Sequence, residues 1–299
     1  MCIRDSLIPA LGSIRLVELR PEHIQRHYAN MVNRGLAPRT TRYDHTVLHR
    51  ALHMAVKWQL VPRNVADAVE PPKAMDSEME TWSSDEVARF LEAAKATPYY
   101  VLFYTALYTG MRRCELLGLS WRHIDLLCCQ INIERGLHWT KEKGYVFTQP
   151  KSKKSKRTIA LPPSLALLLK EHKEKQECAR LLAGSTLSED DLVFGRPDGS
   201  PLFPNSVSRA WDLLVRKIGI KAIRFHDARH THATLMLKQG VHPKVVQERL
   251  GHASIQTTLD TYSHVAPGLQ EAAAVGFDEV MSGGYNGNGA SSNKLVANS

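Results

Sequence analysis

The sequence predicts a mainly α protein with a small antiparallel β-sheet, divided into two domains. Three observations lead there. Apolar residues recur at helical spacing over most of the 299 residues. Three short β-branched or alternating runs fall together between 130 and 162, separated by Gly- and Lys-bearing turns. The stretch PPKAMDSEMETW (71–82) follows neither period and reads as a linker. The expected organisation is an unassigned start at 1–6, a small helical domain at 7–70, the linker, a larger domain at 83–281, and a tail at 282–299. That tail is rich in Gly, Ser and Asn and is expected to be disordered.

In the first domain Pro21 opens a helix with Ile24, His27, Tyr28 and Met31 on one side, stopped at Gly35. Thr40 or Thr41 is the expected cap of a second helix running through Val47, Leu48, Leu52, Val56 and Trp58. Its polar side carries Arg39, Arg42, His45, His49, Arg50 and Lys57, which suits either a solvated face or a polyanion. The second domain begins on a capping box, Ser83 to Glu86. YYVLFYTALYTG (99–110) is apolar nearly all round and predicts a core helix. Strands are expected at 130–139, 145–150 and 157–162, with Lys151, Lys153, Lys154, Lys156 and Arg157 concentrated at a basic hairpin tip. Amphipathic helices follow from Pro163 and from Asn205. Gly240 ends the next helix, Pro243 opens another that Gly251 ends, and Ser254 caps the last.

The formal net charge is +9 and the pI about 9.3, which favours polyanionic partners without naming one. Five cysteines without C-x-x-C spacing fit free thiols in a reducing compartment. No apolar run is long enough to span a bilayer, so the expected setting is intracellular. Walker, Rossmann and G-x-S-x-G patterns are missing, which argues against NTPase, dehydrogenase and hydrolase readings.

The chemistry gathers in residues 225–264, which hold six of the fourteen histidines, His226 and Arg229 in an H-x-x-R pair, Leu-Gly-His at 250–252, and Tyr262. His, Arg and Tyr without a carboxylate-rich pocket suit an anionic substrate, and Tyr262 attacking a phosphodiester is the working reading. Upstream, Arg112 follows a glycine at a helix junction with Glu115 one turn on. A plain surface ion pair has the same spacing. His226 and His230 lie four apart, a spacing that can hold a metal, but no H-E-x-x-H or acidic ligand accompanies them, so no metal is expected. His230, His232, His242 and His264 read as structural or surface histidines.

T-G-x-R-x-x-E at 109–115, P-K-S-K at 150–153, H-D-x-R-H-T at 226–231, L-G-H at 250–252 and L-D-T-Y at 259–262 occur in the order and spacing of the tyrosine recombinases. In residues 80–266 the chain resembles this phage integrase family of site-specific DNA recombinases. Residues 7–70 resemble, more weakly, its SAM-like core-binding domain. The resemblance implies the DNA breaking-rejoining enzyme fold and strand exchange through a covalent 3′-phosphotyrosine, with no cofactor, metal or ATP. It assigns Tyr262 as nucleophile, His226 as its proton acceptor, Arg112 and Arg229 as the clamp on the non-bridging oxygens, Lys151 as general acid and His252 as a donor to the phosphate. Glu115 and Asp227 would support them. Arg39, Arg42, Arg50, Lys153, Lys154 and Lys156 are candidate DNA contacts.

The implied partner is double-stranded DNA at a core site, held in a clamp by a homotetramer. The segment after Tyr262 would dock on a neighbouring protomer, in the cytoplasm of a bacterial cell, with the gene bacterial or phage-borne. One departure stands out. The family's core-binding domain has a helix before the L-G-x-I-x-L segment, here 11–16, and this sequence has none there. The expectation is an N-terminally shortened integrase with an incomplete clamp. A type IB-like topoisomerase and a catalytically idle DNA-binding remnant are the alternatives.

Overall fold

The computed structural model describes residues 3–73, 79–149, 156–262, 274, 275, 277, 278 and 281, with only the backbone of 260–262. The tail at 282–299, Lys151, Lys153, Lys154 and His264 therefore lie outside the described residues. The chain forms two compact units, Met1–Glu78 and Met79–Ser299. Among the described residues no helix is long and apolar enough to cross a membrane.

The first unit is helical. A π-turn at Ile3–Leu7 runs into α1 (Ile8–Leu11), followed by α2 (Pro21–Asn33) and α3 (Pro38–Lys57). Residues 3–6, unassigned in sequence, are thus part of the unit, and Ile3–Leu11 is helical where the sequence reading expected no helix before the L-G-x-I-x-L segment. The Ser6 hydroxyl donates to the buried Asp44 carboxylate at 2.5 Å, and His27 lies 3.3 Å from the same oxygen. Leu7, Leu11, Leu19, Ile24, Tyr28, Leu52, Ala66 and Val69 form the core. Helix α3 begins two residues before Thr40, because Pro38 at its first position is already set for helical φ and has no N–H to satisfy. Thr41 is buried in the first turn and does not cap it. Trp58, expected on the apolar side, is 66% exposed just past the helix end. The polar face also divides. Arg39, Arg42 and Arg50 are exposed, whereas His45 bonds the Tyr28 hydroxyl at 2.9 Å and His49 pairs with Asp67 at 2.7 Å.

In the second unit α4 (Ser84–Ala94) starts on a closed capping box. Ser83 Oγ accepts from the Glu86 amide, and Glu86 accepts from the Ser83 amide. Helix α5 (Tyr100–Thr109) fills the core, and α6 (Arg113–Leu117) follows it. Trp82, which closes the linker in the sequence reading, is buried and stacks on Trp211 at 4.9 Å. Its indole N–H donates to Lys221 O, and that of Trp211 donates to Ile223 O. The two indoles thereby hold the chain entering His226, and a buried indole N–H needs such an acceptor.

The strand region differs from expectation. The run 130–139 breaks into β2 (Gln130–Ile133) and β3 (Gly136–Thr140). The break falls at Glu134 and Arg135, and Arg135 Nε donates to Gly118 O at 2.9 Å. A two-residue strand, β1 (Ile124–Asp125), was not anticipated, because no periodicity survives in two residues. Strand β4 (Gly144–Thr148) pairs with β3, Thr140 facing Gly144, whereas β5 (Arg157–Ala160) pairs with β2, Ile131 facing Ile159. Among the described residues there are two small antiparallel sheets, β1-β2-β5 and β3-β4. The expected basic hairpin tip at 151–155 lies outside the described residues.

Helices α7 (Pro163–Leu182) and α8 (Pro204–Ile218) match the expected amphipathic spans, with Leu165, Ala166 and Leu169 of α7 buried. Then come α9 (Asp227–Lys238), α10 (Pro243–Leu250) and α11 (Ile255–Tyr262). Gly110 ends α5 with φ +65°, and a Cβ there would stand 2.7 Å from Leu250 Cδ2 and 2.8 Å from His232 Cδ2. Gly110→Ala meets both a left-handed backbone and a clash, and is expected to cost about 2–4 kcal/mol. Denaturant unfolding of the two proteins measures it.

Candidate active site

Arg112 caps α6, and its position follows from local chemistry. Its amide donates to Glu115 Oε2 at 2.9 Å, closing the first turn, and its Nη1 donates to Oε1 at 2.8 Å. The pair is no plain surface ion pair, since a second arginine meets the same carboxylate. Arg157, from the start of β5, donates to Glu115 through Nη2 at 2.8 Å and Nη1 at 3.1 Å. The Arg157 side chain is 5% exposed and that of Glu115 8%. Burial works to raise the Glu115 pKa. The hydrogen bonds and charge of Arg157, then of Arg112, outweigh that and hold it at about 2.

The end of α10 organises the rest. A helix leaves its last carbonyls without internal partners, and its C-terminus carries partial negative charge. Three successive carbonyls here each accept from a different arginine. Arg157 Nε reaches Arg249 O at 2.7 Å, Arg229 Nη2 reaches Leu250 O at 2.6 Å, and Arg112 Nη2 reaches Gly251 O at 3.3 Å. Arg229 is buried and also donates to Gly110 O at 2.8 Å. Gly251, at φ +66°, turns the chain toward His252.

The histidines surround these cations. His252 Nδ1 lies 2.9 Å from Thr258 Oγ1, and burial, then Arg229 and Arg112, lower its pKa to about 4. His226 stands just before α9 with its ring edge-on to His230, centroids 5.5 Å apart. Desolvation and then Arg229 lower the His226 pKa below the ordinary 6.5, and His230 is lowered to about 4 by burial and by His226. Asp227 accepts from the amide, Nε and Nη2 of Arg224 and so secures the entry to α9. His232 is buried apart from these. Its Nδ1 faces Leu107 O at 2.9 Å and its Nε2 accepts from Arg249 Nε at 3.0 Å, an arrangement that needs a neutral ring. Its pKa is accordingly pushed down to about 3, by burial and then Arg249. Its role is structural here, as is that of His242, whose Nδ1 accepts from the Lys244 amide.

The structure thus seats Arg112 and Arg229 on neighbouring carbonyls beside His252, with Glu115 on Arg112 and with both arginines near enough to His226 to lower its pKa, while Asp227 holds Arg224. The helix bearing Tyr262 starts three residues after His252. Lys156 is exposed just before β5, and Arg39, Arg42 and Arg50 belong to the other unit. Sequence reasoning assigned no role to Arg157 or Arg249. Arg157 read as one more cation of a lysine-rich turn, and nothing local marks it as the partner of a glutamate 42 residues away. A cavity of about 710 Å³ opens beside Arg112 and His226, with Trp139 and Phe203 on its far wall. Among the described residues no three His, Cys, Asp or Glu side chains group as a metal site. A cationic cleft with neutral imidazoles can hold an anion's oxygens and move protons at neutral pH.

Comparison with known proteins decides the family. Residues 80–268 match the model of the phage integrase family. The chain belongs to the tyrosine recombinases. It is 30% identical to a XerC-like tyrosine recombinase of Caldanaerobacter subterraneus, over 86% of this chain and 70% of that protein. It is also 30% identical to the ICEBs1 integrase of Bacillus subtilis, over 84% of this chain and 68% of that one. Among solved structures, the fold is that of the Tn1549 transposon integrase in complex with transposon right-end DNA. That match has a TM-score of 0.76 at 20% identity and covers 91% of this chain and 88% of the other. A lambda integrase dimer bound to a core site matches with a TM-score of 0.63 at 19% identity, covering 86% and 84%. The recombinase is an enzyme of site-specific DNA recombination of mobile elements, and the topoisomerase and idle-remnant readings are not favoured.

Proposed function

We propose that Tyr262 Oη attacks a phosphodiester of duplex DNA at the element's core site. The new P–O bond makes a 3′-phosphotyrosine, and the bond to the 5′ oxygen breaks. The tyrosine proton passes to His226, and the leaving 5′ oxygen takes a proton from Lys151. Tyrosine's ordinary pKa of about 10 makes such a base necessary at neutral pH. Arg112 and Arg229 bind the non-bridging oxygens. With the Thr258 hydroxyl donating to Nδ1, His252 carries its proton on Nε2 and gives that hydrogen bond to the phosphate. The reverse attack by a new 5′-hydroxyl rejoins the strand, because the ester conserves the bond energy. The observation that carries this reading is the run of three carbonyls at the end of α10, which seats Arg112 and Arg229 on neighbouring residues beside His252.

In the cytoplasm of the bacterial cell, four copies exchange one pair of strands at a time on two duplexes. Arg39, Arg42, Arg50, Lys153, Lys154 and Lys156 contact the DNA, mainly at phosphates, so affinity falls steeply with salt. The segment after Tyr262 docks on a neighbouring copy. In support, Val275, Phe277 and Met281 are helical and expose 59%, 66% and 64% of their surface, an apolar cost that a partner would relieve.

The test is a nicked duplex carrying the core sequence recovered from the element's own ends. A covalent adduct that survives detergent is the expected result, and tight binding without any adduct would overturn the proposal. Its pH dependence carries a sign. His226, with its pKa lowered, is neutral and able to accept a proton down to below the ordinary 6.5. The kcat/KM for cleavage, which reports the free enzyme, should be level from pH 8 to 6.5 and fall only in more acid solution. A decline already between pH 8 and 7 would exclude His226 as the base.

A further inference from the structure

We infer that Arg157 is a positioning residue of the recombinase site. It orients the Glu115 carboxylate toward Arg112 and braces the turn from α10 into His252. The inference rests on the reading of Arg112 and His252 as phosphate ligands and assigns a part to a residue outside that set.

The geometry is a shared carboxylate. Glu115 Oε1 accepts from Arg112 Nη1 at 2.8 Å and Arg157 Nη1 at 3.1 Å. Oε2 accepts from the Arg112 amide at 2.9 Å and Arg157 Nη2 at 2.8 Å. Four donors leave the carboxylate one orientation. Arg112, 34% exposed, has the open side of this cluster, and Arg157, 5% exposed, closes the buried side. An i,i+3 pair left half open to water would be weak and free to change rotamer. A forked guanidinium holding both carboxylate oxygens prevents that, and a lysine has no such fork.

The second contact reaches His252. Arg157 Nε donates to Arg249 O, and the arginine side chain passes close to Gly251. A Cβ on Gly251 would stand 3.0 Å from both Cδ and Nη1 of Arg157. The residue that turns the chain into His252 therefore rests on Arg157, and its carbonyl accepts from Arg112. Arg157 is itself held in β5, facing Ile133 of β2. One buried side chain so ties the sheet to both phosphate-binding elements.

Arg157→Lys, Arg157→Gln and Glu115→Gln on the full chain test this. With the nicked core-site duplex, Arg157→Lys is expected to slow adduct formation at least about 30-fold while DNA affinity changes less than about 3-fold. Adding Glu115→Gln to Arg157→Lys should slow it by less than about 3-fold more, because both act through one carboxylate. A wild-type rate in Arg157→Lys, or losses that multiply in the double variant, would overturn the inference.

Thermal unfolding reads the same contact without DNA. At pH 7 Glu115 is charged, and in Arg157→Gln it stays buried with Arg112 alone and Cys114 beside it. Taking up a proton relieves that, so the Tm gap to wild type should narrow between pH 7 and 4. A gap that stays constant would also sink the inference. If wild type forms no adduct, the phosphoryl-transfer reading fails, and the pH course of the gap still decides whether Arg157 orders Glu115.

Discussion

Tyr262→Phe should bind the core-site duplex as tightly as the wild type and yield no covalent adduct at all. The substitution removes one oxygen and leaves the ring. Without Oη no group in the proposed site forms the phosphotyrosine bond, and the loss is total where loss of a proton-transfer group costs only about 10²–10⁴-fold. The measurement is a detergent gel of protein mixed with the labelled nicked duplex, run beside a binding assay on the same sample. An adduct persisting in Tyr262→Phe would mean that another side chain is the nucleophile. The wild-type adduct should also map by peptide mass to residues 255–262, the span of α11.

The second large effect is expected at Arg229. It is buried, and two of its donors are already committed to Gly110 O and Leu250 O. In the proposed mechanism it also faces the phosphate, which asks for several donors in one plane. Arg229→Lys keeps the charge and loses that geometry, since one ammonium cannot satisfy two carbonyls from different helices and a phosphate together. Loss of a transition-state donor costs about 2.7–4 kcal/mol, or about 10²–10³ in rate, and Arg229→Lys should fall in that range. Stability should fall as well, because the Gly110 or Leu250 carbonyl is left buried without its partner, at about 1–3 kcal/mol. Single-turnover cleavage and denaturant unfolding separate the two losses. A rate within about 3-fold of wild type would remove Arg229 from the clamp.

The helices were the most legible part of the fold. Pro163 to Leu182 reads directly as a helix, and the Ser83–Glu86 box closes as its spacing requires, since both depend on neighbours within one turn. The β region was read less well. The alternation in 130–139 continues through the break at Glu134 and Arg135, and only the bond from Arg135 to Gly118 marks where the strand divides. Pairing is no easier to read, because it depends on partners far away in the chain, as where β5 pairs with β2. Trp82 looked like linker because its neighbours in sequence are polar, while its neighbours in space are Phe90 and Trp211.

The candidate site shows the same division. Arg112, His226, Arg229 and His252 stood out because each sits in a short motif at a helix junction, where a glycine or a cap marks the spot. In the structure Arg112 and Arg229 bond neighbouring carbonyls beside His252, and their charges reach His226. Arg157 and Arg249 carry no local mark and were given no role. Arg249 is an ordinary cation on an amphipathic helix until it meets the buried His232 and the carbonyls of Tyr108 and Ala160.

By itself, the sequence determined what depends on residue type and short spacing: most of the helices, the basic character, the family and a candidate set of groups for binding and attacking a phosphate. Only the tertiary structure decided how those groups are held. Three arginines from different parts of the second unit meet three successive carbonyls at the end of one eight-residue helix, and two of them share a single carboxylate. Helix and cap signals are written within a few residues because the bonds that make them are local. The seating of the arginines joins residues 112, 157, 229 and 249, and that proximity exists only once the core has folded.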